Sequence, residues 1–209
     1  MNVAASRLRL DLDNPVRFVR SPHIAGQLNP RFLIVHFTGG QTLKSTVDWM
    51  VNPESKASSH LIIGKRGGLV QLVPFDRQAF HTGPSSWRGI HGMAPFSIGI
   101  ELDNPGPMIA EGKTWKATFG KIYPEGEVVL MDHKNGGPYH AWHVFPQVQI
   151  DQAAEVCRTL VEVFPIEEIL GHDDISPGRK WDPGPAFPMD EFREHVFGPG
   201  KARKPQAEI

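Results

Sequence analysis

The run RFLIVHF, from Arg31 to Phe37, sets the tightest limit on the fold. It is apolar without a break rather than alternating, so a strand of this length is buried on both faces. That requires a sheet with further layers on either side. Thr42 then predicts the start of a short helix through about Val51, with Val47, Met50 and Val51 turned inward and Pro53 close behind. Ser59–Gly64 (SHLIIG) and Leu69–Val73 (LVQLV) flank Lys65-Arg66-Gly67-Gly68 and read as a hairpin. Ser97–Leu102 (SIGIEL) is another strand, in which Gly99 leaves room for a close neighbour. Pro146–Phe164 is the clearest helix. Ile150, Ala153, Val156, Cys157, Leu160, Val161 and Phe164 share one face, and Pro165 stops it. A last short helix runs from Pro188 to about Phe197. Strands alternating with helices, plus one hairpin, predict a single α/β domain over residues 1–197, its central mixed sheet flanked by helices.

Two stretches fall outside that pattern. Residues 1–30 look irregular, broken at Pro15, Pro22 and Pro30. Asn104–Phe145 carries six Gly and four Pro but also Trp115, Phe119, Tyr123, Tyr139 and Trp142, which predicts an ordered insertion over about 107–146, near a cleft. Residues 198–209 are expected to be a flexible tail.

Charge excludes some functions. With 22 basic and 23 acidic residues and a net charge of −1, nothing favours nucleic acid or an anionic membrane surface. No apolar run approaches the roughly 20 residues that span a bilayer. The N-terminus has no signal-peptide core, which predicts a cytoplasmic protein. The single cysteine, Cys157, allows no internal disulfide and sits on a helix face as a small buried hydrophobe.

Chemistry concentrates in Gly171–Pro185, GHDDISPGRKWDPGP. Its prolines and glycines suit neither a helix interior nor a central strand, yet they can hold ligands rigidly. His172 and Asp182 from this loop, with His36 from the first buried strand, are candidate metal ligands. Two imidazoles and one carboxylate leave an open coordination position, the pattern of catalytic rather than structural zinc. Among ten histidines, spacing alone does not single these out.

Four segments together do. IVHFTGG (34–40), SSHLIIGKRGGLVQLVPFDRQAFHTG (58–83), FSIGIELDNPG (96–106) and GHDDISPGRKWDPGPAFPMDEFR (171–193) resemble, in order, the AmpD-like zinc N-acetylmuramoyl-L-alanine amidases of the peptidoglycan-recognition, type 2 amidase fold. The resemblance implies Zn2+ on His36, His172 and Asp182, a catalytic acid/base at Glu101, and a substrate-polarising cation at Lys180. Some relatives use Cys as third ligand; here it is Asp182. Relatives without the Glu use a Tyr before the hairpin histidine. Ser59 stands there in this chain, which favours Glu101. Candidate substrate contacts are His81 in AFHTG, which would otherwise support a metal ligand from behind, Trp87 in the following loop, and Arg179, which would face a peptide-stem carboxylate or pair with an Asp. Phe80 replaces a Trp often found in the family.

The implied activity is zinc-dependent hydrolysis of the bond between N-acetylmuramoyl and L-alanine in peptidoglycan or muropeptides. The cellular role would be muropeptide recycling, or wall lysis by an endolysin released to the cell wall. The alternative is a non-catalytic peptidoglycan-binding module of the same fold, which would lack zinc ligands, Glu or Lys. No HExxH motif supports another zinc hydrolase. His60 reads as structural, and Asp173 and Asp174 either orient a ligand or are solvated. His91, His133, His140, His143 and His195 carry no motif.

Overall fold

In the computed structural model, which describes residues 1–11 and 14–198, six strands form one mixed sheet. They are β1 (Arg17–Phe18), β2 (Phe32–Phe37), β3 (Leu61–Ile63), β4 (Leu69–Gln71), β5 (Ser97–Leu102) and β6 (Glu168–Gly171). Their order is β6-β2-β5-β3-β4-β1. β6, β2, β5 and β3 run parallel, and β4 turns back antiparallel to β3. The α-helices among the described residues are α1 (Leu43–Val51), α2 (Gln147–Val163), α3 (His172–Ile175) and α4 (Met189–Phe197).

Strand periodicity assigns the two faces. Leu33, Val35, Leu61, Ile63, Ile98 and Ile100 point to one side, where they pack with Ala153, Val156, Cys157 and Leu160 of α2 and Phe192 of α4. The opposite face of β2 carries Phe32, Ile34 and then His36, and that of β5 carries Ser97, Gly99 and Glu101. On this second face α1 sets Val47 and Met50 against Ile62 and Val70. Continuous apolarity in β2 thus reflects a helix layer below and a second core with a polar site above.

The helices follow the local signals. The Thr42 hydroxyl accepts a hydrogen bond from the Ser45 amide at 3.1 Å and caps α1. Pro146 precedes α2, whose buried face includes Cys157. Burial pushes that thiol well above its ordinary range, so it acts as a packing residue. The turn of the hairpin closes with the Gly64 amide donating to the Gly68 carbonyl at 2.8 Å.

Three expectations need correction or completion. Residues 1–30 are not irregular: Asn2–Ala4 pairs with Arg7–Arg9, β1 closes the edge of the main sheet, and Ile24–Gln27 pairs with Arg77–Ala79. Strands of two to four residues between prolines leave no period to read. The loop from Gly171 holds one helical turn, α3, because His172–Ile175 lie before Pro177 and Asp174 accepts the Gly171 amide at 2.7 Å. Of the tail, residues 199–209 lie outside the described residues.

The Asn104–Phe145 segment is ordered. Met108–Glu111, Thr114–Ala117 and Ile122–Tyr123 form a three-stranded sheet, and Val128–Leu130 pairs with Ala141–His143. Met108, Ala117, Tyr123 and Ala141 make its own small core. It is fastened to the Gly171–Pro185 loop. His133 Nε2 lies 3.0 Å from Asp173 Oδ2, Asn135 donates to the Asp173 carbonyl at 2.8 Å, and Lys134 bridges Asp173 and Asp174. Trp142 is buried there against Gly184, which has φ +75° and where a Cβ would come within 2.9 Å of the indole.

Candidate metal centre and cleft

Parallel strands gather the site. β2, β5 and β6 point the same way, and their carboxyl ends carry His36, Glu101 and, one residue past β6, His172. The crevice beyond the carboxyl ends of parallel strands is where such sheets receive ligands. Glu101 and His36 are direct register partners on adjacent strands, so their side chains stand side by side on one face. Asp182 joins them because the loop folds back: the Asp173 amide donates to the Asp182 carbonyl at 2.9 Å.

His36, His172 and Asp182 could together hold a metal ion. His36 Nδ1 lies 2.7 Å from Asp182 Oδ2 and 3.0 Å from His172 Nδ1, and His172 Nδ1 lies 2.9 Å from the same carboxylate oxygen. All three side chains are buried. Burial first, and then the neighbouring His172, lower the His36 pKa to about 4, although Asp182 pulls the other way. The His36 imidazole is therefore neutral at physiological pH. On His172, Nε2 lies 2.9 Å from the Thr82 carbonyl and 3.3 Å from Arg179 Nη2; the shorter contact takes Nε2 as donor, which leaves Nδ1 without a proton in the neutral ring. Imidazole nitrogens and a carboxylate oxygen thus converge with facing lone pairs. A proton could relieve only one edge of that triangle. A divalent cation relieves all three, so the donor set fits one.

Glu101 and Lys180 face the same space. Burial, followed by the charge of Asp182, raises the Glu101 carboxyl well above its ordinary 4.5, against the pull of Lys180. Lys180 is half-buried and is close enough to act on both Glu101 and His36 while forming no ion pair with Glu101. Both line a cavity of about 770 Å³ with His36, His81, His172 and Asp182; Trp49, Phe80 and Phe119 add aromatic walls.

The remaining sequence candidates separate. His81 and Arg179 line the cavity, but Arg179 Nη2 is held by the Thr82 and Pro84 carbonyls at 2.7 and 2.8 Å and by the Ser176 hydroxyl at 2.7 Å. It ties the 82–84 turn to the ligand loop. Trp87 does not line the cavity: its short hairpin packs it against Phe32, Ile34 and Met93. An aromatic residue in a polar loop looks like a groove wall in sequence, but this one serves the second core. His60 is structural: Nε2 donates to the Arg77 carbonyl at 2.9 Å and Nδ1 accepts from the Gly99 amide at 3.0 Å. Ser59 lies beside Gly99 rather than in the cavity. His133 was missed, because its link to Asp173 joins residues forty positions apart with no local motif.

Comparison with known proteins shows the family and the fold. Residues 26–185 match the family described as N-acetylmuramoyl-L-alanine amidase. The 1,6-anhydro-N-acetylmuramyl-L-alanine amidase AmpD of Escherichia coli is 30% identical over 199 residues, covering 85% of this chain and 90% of its own. The crystal structure of a selenomethionine derivative of AmpD superposes with a TM-score of 0.65 at 27% identity, covering 94% of this chain and 99% of that one. E. coli AmiD, solved with anhydro-N-acetylmuramic acid-L-Ala-D-γ-Glu-L-Lys, superposes at 0.59 with 25% identity, covering 85% of this chain and 59% of that one.

Proposed function

The chain belongs to the N-acetylmuramoyl-L-alanine amidase family, and from that premise we propose that it hydrolyses the amide between the lactyl carbonyl of N-acetylmuramic acid and L-alanine in soluble muropeptides, with zinc held by His36, His172 and Asp182. The observation that carries this reading is the convergence of those three donors beside Glu101 on the adjacent strand. Bound there, the cation would supply Lewis acidity to the scissile carbonyl and make the attacking water more acidic.

The chain's own groups supply the proton transfers and the charge relief. Glu101 takes a proton from water as its oxygen attacks the carbonyl carbon. It then gives that proton to the alanine nitrogen as the C–N bond breaks. The products are the muramoyl carboxylate and a peptide with a free amino terminus. A carboxyl whose pKa is raised by burial and by Asp182 is a stronger base than an exposed one, which favours its taking the proton from water. Lys180 offsets the negative charge that develops on the carbonyl oxygen. Trp49, Phe80 and Phe119 give the cavity apolar walls for the sugar and the lactyl group.

The muropeptide preference is supported by the relatives, one named for the 1,6-anhydro substrate and one solved with an anhydro-muramoyl tripeptide. The test is release of the peptide amino terminus from soluble anhydro-muramoyl tripeptide, compared with intact sacculi. Hydrolysis of the soluble substrate is expected. Activity confined to sacculi would instead support the endolysin role. In the same assay Lys180→Met is expected to lower kcat by about 10²–10³-fold with little change in KM, since its charge acts on the developing oxyanion. A rise in KM alone would place Lys180 in ground-state binding.

A further inference from the structure

We infer that His81 is a positioning residue: it fixes the proton of His36 on Nε2 and so leaves His36 Nδ1 bare toward the cation. This inference rests on the proposed metal reading of His36, His172 and Asp182.

The hydrogen-bond directions follow one from another. The Ser97 hydroxyl donates to the Met93 carbonyl at 2.8 Å, so its hydrogen is committed. His81 Nε2 faces both the Ser97 hydroxyl oxygen and the Ser97 carbonyl, each at 3.3 Å, and both can only accept. His81 Nε2 therefore carries a proton. In the neutral ring the other nitrogen, Nδ1, is then an acceptor. His81 Nδ1 lies 3.0 Å from His36 Nε2, which must then be the donor. With its proton on Nε2, His36 presents an unprotonated Nδ1 to His172 and Asp182. The two rings meet edge to face, with centroids 5.2 Å apart.

The backbone makes space for this arrangement. His81 packs over Gly99 in the middle of β5, where a Cβ would come 2.7 Å from the ring and 2.6 Å from the Ser59 hydroxyl. His172 takes its tautomer from a main-chain carbonyl, whereas His36 takes its own from a side chain that substitution can remove. Both His81 nitrogens are committed inside the protein, so the ring lines the cavity without a free polar atom for substrate. Partners that orient a metal-binding imidazole typically contribute 10–100-fold to metal affinity.

The test combines two readouts. Nitrogen NMR of the metal-free wild-type protein is expected to show His36 as the Nε2–H tautomer, with a nitrogen–nitrogen coupling to His81 Nδ1 across the hydrogen bond. Chelator competition is expected to show about 10–100-fold weaker zinc binding in His81→Leu. His81→Asn, which keeps an acceptor near the Nδ1 position, should recover most of that loss. An Nδ1–H tautomer for His36 in wild type would overturn the inference even if no variant folds. So would wild-type zinc affinity in folded His81→Leu. Absence of zinc binding by the wild-type protein would instead defeat the metal reading, which the metal-free tautomer measurement does not depend on.

Discussion

Glu101→Gln is expected to keep the bound cation and lose about 10²–10⁴-fold in kcat, the usual worth of a positioned proton-transfer group. The amide fills the same space on β5 and leaves the His36, His172 and Asp182 donors untouched, but it can neither take a proton from water nor return one to the alanine nitrogen. The same change is expected to stabilise the metal-free protein at neutral pH. The folded-state pKa of Glu101 is raised above its ordinary 4.5, mainly by burial and then by Asp182. Below 4.5 the carboxyl is protonated in folded and unfolded chains alike and contributes no difference. As pH rises past that value the unfolded chain ionises first, and holding the group in the fold becomes progressively unfavourable. Thermal melts of metal-free wild-type and Glu101→Gln protein should therefore separate at pH 8, with the variant higher, and converge near pH 4. A variant that matches wild type near pH 4 but melts lower at pH 8 would show that the carboxylate is a net stabiliser.

Removing the cation is expected to have the other large effect. Three buried donors with facing lone pairs repel one another once nothing lies between them, and a ligand that binds only the folded chain stabilises it by mass action. At about a thousand times the dissociation constant this amounts to about 4 kcal/mol, or about 8–16 °C in melting temperature for a domain of this size. Chelation followed by a thermal melt, then readdition of zinc, measures it. An unchanged melting temperature would mean that the three side chains sit together without needing an ion. Loss of the ion should also loosen the Gly171–Pro185 loop. Without the ion that loop is still tied to the rest of the fold by Arg179 at the 82–84 turn and by His133, Lys134 and Asn135 of the inserted segment.

Most of the candidate site was legible because its residues lie in short contiguous segments. His36 ends an apolar strand, Glu101 lies in SIGIEL, and His172, Lys180 and Asp182 share one Pro/Gly loop. Helix limits were legible where caps and prolines mark them, at Thr42, Pro146 and Pro188. Less legible were contacts that depend on chain reversal over long distances. The pairing of His133 with Asp173 and the closing of the sheet by a two-residue β1 have no periodic or spacing signal. Trp87 shows the opposite failure. It had the composition of a groove residue, but burial against Phe32, Ile34 and Met93 claimed it. For His81 the sequence placed the residue near the cleft, while only hydrogen-bond direction, set by a serine sixteen positions away, indicates what its ring does.

The central claim is that His36, His172 and Asp182 hold one divalent cation on which hydrolysis depends. It is tested most directly by elemental analysis of wild-type and Asp182→Asn protein beside their activity on anhydro-muramoyl tripeptide. The account predicts about one equivalent of zinc and active wild-type enzyme. It also predicts that the variant, left with two neutral imidazoles and no anionic ligand, neither retains the metal nor turns over. Full activity from wild-type protein stripped of metal would contradict it.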